Sequence, residues 1–295
     1  MTAPRLPRAD RKTMTARQAG VPELPVDLDR LGVDLTRPHP ARRYDYLLGG
    51  KDNFAADRAS ADELARRFPH IRTAAQENRR FLIRAVRWLA RAGVHQFLDV
   101  GTGYPTAPNV HEAARAISAD SRVLYVDNDP VVVAHARALL TSPEPDAIGY
   151  LRADLRDPAA ILDSPQARAT LDFGQPIGLL LVAVLHFLDD TDQPYAVVNA
   201  VLERLPPGSF LVLSHVTFDP LPEDTTRDLT ALARPGAGHG TFRARTRDEI
   251  ARFVTGLDLI EPGLVSVVDW HPEEDPKPEA PAEHAAFDVA VARLP

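Results

Sequence analysis

An apolar run ending in glycines, and a second ending in a carboxylate, carry the first chemical signal in this sequence. Phe97-Leu-Asp99-Val-Gly101-Thr-Gly103-Tyr-Pro105 sets two glycines in the turn between a strand-like run and a helical stretch. Glycines there let the backbone turn tightly and approach a ligand with no side chain between them. Val123-Leu-Tyr-Val-Asp127-Asn-Asp-Pro130 then ends in an acid 26 residues after Gly101. A carboxylate at the tip of a second strand can accept both hydroxyls of a ribose diol; the plainer reading is a turn residue. A dinucleotide fingerprint needs a third glycine where Thr106 stands, so the turn departs from that pattern. His186 follows a fourth apolar run, at the edge where open α/β sheets place their chemistry. Its imidazole can take a proton from an attacking hydroxyl or amine, line the nucleotide pocket, or bond a nearby backbone group. His215 reads as a structural histidine. Asn109, His111 and Glu112 match no compact metal-ligand spacing and are expected on a solvated helix face, with no metal bound.

The pattern Asp99-x-Gly101-x-Gly103, followed by an acidic strand end, resembles the class I S-adenosylmethionine-dependent methyltransferases. In those enzymes the first acid helps orient the methionine moiety, and no pyrophosphate rests on the helix, which relaxes the need for a third glycine. A narrower resemblance rests on Ala41-Arg-Arg-Tyr-Asp-Tyr-Leu-Leu-Gly-Gly-Lys-Asp-Asn-Phe54, Glu77-Asn-Arg79, Asn109-Val-His-Glu112, Tyr125-Val-Asp-Asn-Asp-Pro130 and Leu179-Leu-Leu-Val-Ala-Val-Leu-His-Phe187. In this order they resemble a largely actinobacterial S-adenosylmethionine methyltransferase family, long catalogued as a domain of unknown function, from about residue 40 to 292. The resemblance implies S-adenosylmethionine as cofactor, with Gly101 and Gly103 lining its methionine and ribose and Asp127 taking the ribose hydroxyls. Asn128 and Leu155 then lie beside the adenine and Asp154 on its amino group; a turn cap before Asp157-Pro158 is the alternative for Asp154. Tyr44 and Tyr46 can pack on a sulfonium or on the acceptor, and Tyr46 is counted among the cofactor contacts. Gly49, Gly50, Lys51 and Asp52 are expected to fold over the cofactor as a lid, against a plain packed turn. Asn78 and Arg79 either face this segment or lie on an exposed helical surface.

These residues need elements to hold them. Two helical stretches, about 57–68 and 71–92, precede the glycine turn; in the second, Phe81, Leu82, Ala85, Val86 and Leu89 recur at helical spacing up to Gly93. From residue 95, runs at 95–100, 122–127, 148–152, 177–185 and 209–217 read as strands, with helices near 108–119, 130–141, 158–171 and 194–205 between them. That alternation predicts an α/β fold with a parallel sheet covered on both faces. A capping box, Thr246 with Glu249, opens a helix over 247–257, and runs at 264–270 and 286–292 flank an acidic, proline-rich loop. The expected architecture is a Rossmann-like class I methyltransferase sheet, mostly parallel with an antiparallel terminal hairpin, plus an N-terminal helical cap. Residues 1–20 are expected to be a disordered tail, 21–94 a lid and helical cap, and 95–295 the cofactor-binding domain. The stretch 219–245 is expected to help shape the acceptor pocket.

Composition narrows the function classes. The 295 residues carry 34 basic against 41 acidic side chains, net −7, which argues against broad phosphate-backbone binding. With no cysteine, disulfides, thiolate catalysis and cysteine-ligated metals are excluded. No apolar run is long enough to cross a bilayer, and no apolar signal core opens the chain, so a cytoplasmic protein is expected. The expected partner is a small-molecule methyl acceptor rather than nucleic acid or membrane. A nicotinamide-dependent oxidoreductase and a non-catalytic S-adenosylmethionine-binding regulator stand as rival functions.

Overall fold

Parallel pairing in register brings the carboxyl ends of the central strands to one edge of the molecule. The computed structural model describes residues 33–140, 146–234, 239–240, 242–274 and 280–295. The N-terminal tail therefore lies outside the described residues, as do residues 275–279 of the acidic loop. Three helices come first: α1 (Pro40–Leu47), α2 (Ala55–Arg67) and α3 (Ile71–Arg91). Strand and helix then alternate through β1 (Gln96–Val100), α4 (Val110–Arg115), β2 (Arg122–Asp127), α5 (Pro130–Leu139) and β3 (Ile148–Arg152). After α6 (Pro158–Leu162) and α7 (Pro165–Thr170) come β4 (Gly178–Val182), α8 (Pro194–Leu202), β5 (Phe210–Val216) and α9 (Glu223–Leu232). The chain closes with α10 (Arg247–Ala251), β6 (Asp258–Leu259), β7 (Val265–Ser266), α11 (Ala282–Ala285) and β8 (Phe287–Arg293).

Among the described residues the sheet runs β3-β2-β1-β4-β5-β8-β6, with β7 also paired to β8. Strands β1 to β5 are parallel to their neighbours, and β8 is antiparallel to β5, β6 and β7. The chain winds outward from β1 to β3, then restarts beside β1 at β4. That reversal leaves a crevice at the carboxyl ends of β1 and β4, where open α/β sheets bind ligands. Alternate residues of each central strand enter opposite cores. Phe97, Val123 and Leu180 join the cluster under α3, while Leu98, Leu124, Leu179 and Leu181 join the cluster under α6 to α8. Helix α3 buries Phe81, Ala85, Val86 and Leu89 completely, so it covers the sheet as well as belonging to the N-terminal helices.

Several element boundaries differ from the sequence expectation. The run 177–185 stops pairing at Val182, because Ala183 takes φ +57° and Leu185–Phe187 turn into a short 3₁₀ helix. The stretch 158–171 is two helices, since Pro165 cannot continue the first and Ser164 caps the second through the Ala167 N–H. The helix at 247–257 keeps its Thr246–Glu249 capping box but changes to 3₁₀ at Arg252–Val254. Of the run 264–270, Val265 and Ser266 form the strand paired with β8 and the Val267 N–H adds one bond to Phe287 O at 3.0 Å, so the terminal hairpin is shorter than its apolar pattern. Val267 and Trp270 instead bury against α3, with the Trp270 and Phe81 rings edge to face at 5.3 Å.

Candidate cofactor cleft and adjoining chamber

Residues from several separated segments meet at the β1–β4 crevice. Register places Gly101 beside the end of β2, where the Gly101 and Thr102 N–H groups both donate to Val126 O, at 2.8 and 3.1 Å. Gly101 has φ +75°, and a Cβ there would lie 2.7 Å from Val184 Cγ2, so conformation and packing both demand glycine. Gly103 has φ +67°, yet a Cβ there would meet nothing within 4 Å; its backbone borders open space. Across the crevice the unusual φ of Ala183 is held by its N–H donating to Ser214 Oγ at 2.8 Å. Such a backbone costs of order 1–3 kcal/mol and persists only where its surroundings impose it.

The resulting cleft has a volume of about 400 Å³, within the usual range for small-molecule sites. It brings together Asp99, Gly101, Gly103, Asp127, Asn128, Asp154, Leu155 and His186 from the sequence-predicted set. Asp127 is buried; its Oδ2 accepts the Gly103 N–H and its Oδ1 the Asp129 N–H, both at 2.9 Å. Burial still wins and pushes its carboxyl up to about 6. Each oxygen keeps lone-pair capacity for a hydroxyl. Asp99 is buried alike and accepts the Thr102 hydroxyl at 2.9 Å. Desolvation, only partly offset by Thr102 and Arg79, pushes it up to about 6 as well. Two desolvated carboxyls on one cleft can receive a vicinal diol and a cationic group.

Asp154 is arranged differently. The Arg156 N–H donates to its Oδ1 at 2.9 Å, and Asn128 Nδ2 and Arg156 Nη1 to its Oδ2 at 3.0 and 2.9 Å. Burial opposes ionisation, but these donors outweigh it and hold the carboxyl below its ordinary range. Asn128 and Asp154 therefore form one polar unit at the cleft edge.

Segment 41–54 divides into two halves with different work. Pro38 to Ala41 and Tyr44 line the cleft. Tyr46 does not: its hydroxyl donates to Asp62 Oδ1 at 3.0 Å and Arg72 lies over its ring at 4.6 Å. Two residues along a helix are about 200° apart, so Tyr44 and Tyr46 cannot share a face. The Gly49–Asp52 lid is also not formed. Gly50 leaves no room for a side chain against the Asp45 carboxylate, whose Oδ2 accepts the Asp52 N–H at 2.9 Å and Asn53 Nδ2 at 2.8 Å. The turn folds back on its own helix. Asn78 and Arg79 face the site: Asn78 Nδ2 donates to Tyr44 Oη at 2.9 Å, while Arg79 donates to Thr106 O and Pro108 O. The expected solvated face at Asn109–Glu112 is overturned at Asn109 and His111, while Glu112 stays exposed. Asn109 and His111 are buried, and His111 Nδ1 pairs with Tyr125 Oη at 2.8 Å, because α4 packs between α3 and β2. Glu112 caps the start of α4 by accepting the Asn109 N–H at 2.6 Å.

His186 rides the 3₁₀ turn after β4, 3% exposed, where the cleft meets a second chamber of about 120 Å³. Burial, reinforced by His215 and the Arg43 and Arg245 guanidiniums, holds its pKa well below the usual range. It is thus a neutral imidazole, and its Nδ1 has no hydrogen-bond partner among the described residues. Arg245 escaped sequence reasoning. Fully buried, it donates to Leu185 O and Leu188 O, both at 3.1 Å, on either side of His186. It also meets His215 Nε2 at 3.0 Å, and His215 Nδ1 donates to Val216 O at 2.8 Å. No motif marks Arg245, since its partners, two backbone carbonyls, His215 and the Asp190 carboxylate at 3.2 Å, lie 30 or more residues away. His215 is structural, as expected. Among the described residues no group of three or more His, Asp or Glu is placed to hold a metal ion. None of the described helices is long and apolar enough to cross a membrane.

The sequence matches the family described as S-adenosyl methyltransferase over residues 28–295. A crystal structure of a DUF574-family protein from Streptomyces avermitilis is similar, with 42% identity, TM-score 0.83, and coverage of 89% of this chain and 99% of that one. A candidate methyltransferase from Thermobifida fusca is 39% identical with TM-score 0.81, covering 89% of this chain and 97% of its own. No curated protein matches the chain.

Proposed function

The chain belongs to the S-adenosyl methyltransferase family, and from that premise we propose that it transfers the methyl group of S-adenosylmethionine to a small-molecule acceptor. The observation that most supports the residue assignment is the pair of buried carboxyls, Asp99 and Asp127, at neighbouring strand ends around the open backbone of Gly103. The donor set fits the cofactor: Asp127 for the ribose hydroxyls, Asp99 for the methionine ammonium, and Asn128, Asp154 and Leu155 for the adenine. Bound there, S-adenosylmethionine supplies a methyl group activated on a sulfonium.

The protein's own residues align the reactants and exclude water, which can lower a barrier by roughly 7–11 kcal/mol when geometry is near ideal. Arg79 and Asn78 anchor the glycine turn and α1 to α3, so both walls of the cleft share one support. His186, neutral and facing both cavities, accepts a proton from an acceptor that must lose one, typically a contribution of about 10²–10⁴-fold. A nicotinamide dinucleotide fits poorly. The start of α4 is closed by its own side chains, Asn109 Oδ1 accepting the Thr106 N–H at 3.1 Å and Glu112 the Asn109 N–H, which leaves no cradle for a pyrophosphate.

Thermal unfolding with S-adenosylmethionine, S-adenosylhomocysteine and NAD in parallel tests the assignment. At 100 times its dissociation constant a native-state ligand adds about 2.7 kcal/mol. Both adenosyl ligands should shift the transition and NAD should not, and Asp127→Ala should abolish the shift with its fold intact. Unchanged affinity in that variant removes Asp127 from the site. Turnover with any acceptor separates the enzyme from a binding-only regulator.

A further inference from the structure

The chamber beside the cleft has a character of its own. The two cavities share Pro40, Tyr44, His186, Phe187 and Phe287, so they adjoin at the imidazole. Around His186 the rings of Phe187, Phe242 and Phe287 lie with centroids at 4.3, 5.2 and 6.0 Å, and Phe218 stacks near-parallel on Phe242 at 6.3 Å. Leu221, Leu229 and Leu232, on and before α9, close the other side. At about 120 Å³ the space is of the order of a cavity of about 150 Å³ that admits benzene.

Its polar groups are few, and most are already engaged. Tyr44 Oη donates to Ala75 O at 2.9 Å and accepts from Asn78. Arg43 Nη1 donates to Ser60 Oγ at 3.1 Å and to His239 O, and His239 Nδ1 pairs with Ser60 Oγ at 2.7 Å. His186 remains: its Nδ1 is unpartnered but closed off from the cavity surface, and its Nε2 makes no hydrogen bond among the described residues. No Asp or Glu is among the described residues lining the chamber. A cationic amine would find no carboxylate among the described lining residues, whereas Arg43 favours negative charge developing beside the imidazole; Arg245 behind His186 is already paired with Asp190 at 3.2 Å.

Building on the methyltransferase reading, we propose that this chamber is the acceptor site and takes a planar aromatic molecule that presents one phenolic hydroxyl to His186. The ring packs against the phenylalanines, and aromatic edges and faces complement one another there better than a saturated ring would. The phenolic oxygen forms the new bond to the methyl carbon as the carbon–sulfur bond breaks, its electron pair remaining on sulfur as the neutral thioether. The hydroxyl proton passes to the imidazole, which holds it as the imidazolium until the products leave.

Calorimetry on protein saturated with S-adenosylhomocysteine tests this, using 4-ethylphenol, 4-ethylcyclohexanol and 4-methylbenzylamine as probes. The phenol should bind at least tenfold tighter than either other probe. Leu229→Trp, which fills the chamber outside the cofactor cleft, should weaken the phenol at least tenfold and leave S-adenosylhomocysteine affinity within threefold. Ala233→Phe, on the same wall, substitutes if Leu229→Trp fails to unfold cooperatively. Equal or tighter binding of the amine or saturated alcohol, or phenol affinity indifferent to the filled chamber, overturns the inference. S-adenosylhomocysteine binding with no phenol binding overturns this inference alone, while loss of both overturns the cofactor assignment beneath it.

Discussion

Asp99→Asn should raise the stability of the cofactor-free protein and weaken cofactor binding, two effects of opposite sign from one atom replaced. Asp99 is 4% exposed, and burial lifts its carboxyl from the ordinary 3.8 to about 6. A shift of about two units corresponds to about 3 kcal/mol by which folding disfavours the charged form above pH 6. Because the folded value is raised, this cost is fully present above about pH 6 and relieved as pH falls toward 4. Asparagine keeps the shape and still accepts the Thr102 hydroxyl, the one side-chain hydrogen bond Asp99 makes among the described residues. At pH 7.5 the variant should therefore gain about 2 kcal/mol, or roughly 4–8 °C at a few degrees per kcal/mol. Lowering the pH to 5 should narrow that gap by more than half, since about half of the roughly 3 kcal/mol cost is then relieved in the wild type. Asp127 senses the Asp99 charge, which raises its own carboxyl further, so the variant also relieves part of the Asp127 cost. In calorimetry S-adenosylhomocysteine should bind about 10–100-fold more weakly, as expected for a lost hydrogen bond between charged partners worth about 1.5–3 kcal/mol. A variant less stable than wild type at pH 7.5, or one with unchanged affinity, would falsify the reasoning.

Other perturbations separate the roles of neighbouring residues. Gly101→Ala meets both a positive φ and Val184, so chemical denaturation should show a loss of about 2 kcal/mol or more. Gly103→Ala meets only the backbone strain, about 1–2 kcal/mol, but its methyl enters the cleft, so cofactor affinity should fall more than stability does. Tyr46→Phe should leave S-adenosylhomocysteine affinity unchanged in calorimetry, because its hydroxyl serves Asp62, while Tyr44→Phe should cost about 1 kcal/mol of stability through Ala75 and Asn78. Arg245→Met strips Leu185 O, Leu188 O and His215 of their buried donor and should lower unfolding free energy by about 3 kcal/mol; an unaltered transition would remove Arg245 from the support of the His186 turn.

Local chemistry that needs only near neighbours was legible in the chain. Alternating apolar runs dictate buried parallel strands, Pro130 and Asp129 set the start of α5, and two glycines before a helix require a tight turn, so the sheet and the Asp99–Gly103 and Asp127 positions followed from sequence patterns. Helical phase could have excluded Tyr46 from the face of Tyr44, since about 100° per residue is a property of the chain itself. What the pattern does not carry is which distant groups meet. The apolar run through Leu185 reads as strand, yet β4 ends at Val182 so that Val184 can pack on Gly101 and His186 can face two cavities. Asn109 and His111 read as solvated until α3 and β2 close around α4. The acid strengths of Asp99 and Asp127 and the neutrality of His186 belong to tertiary structure for the same reason. They arise from desolvation, which exists only once residues far apart in sequence have packed together and excluded water.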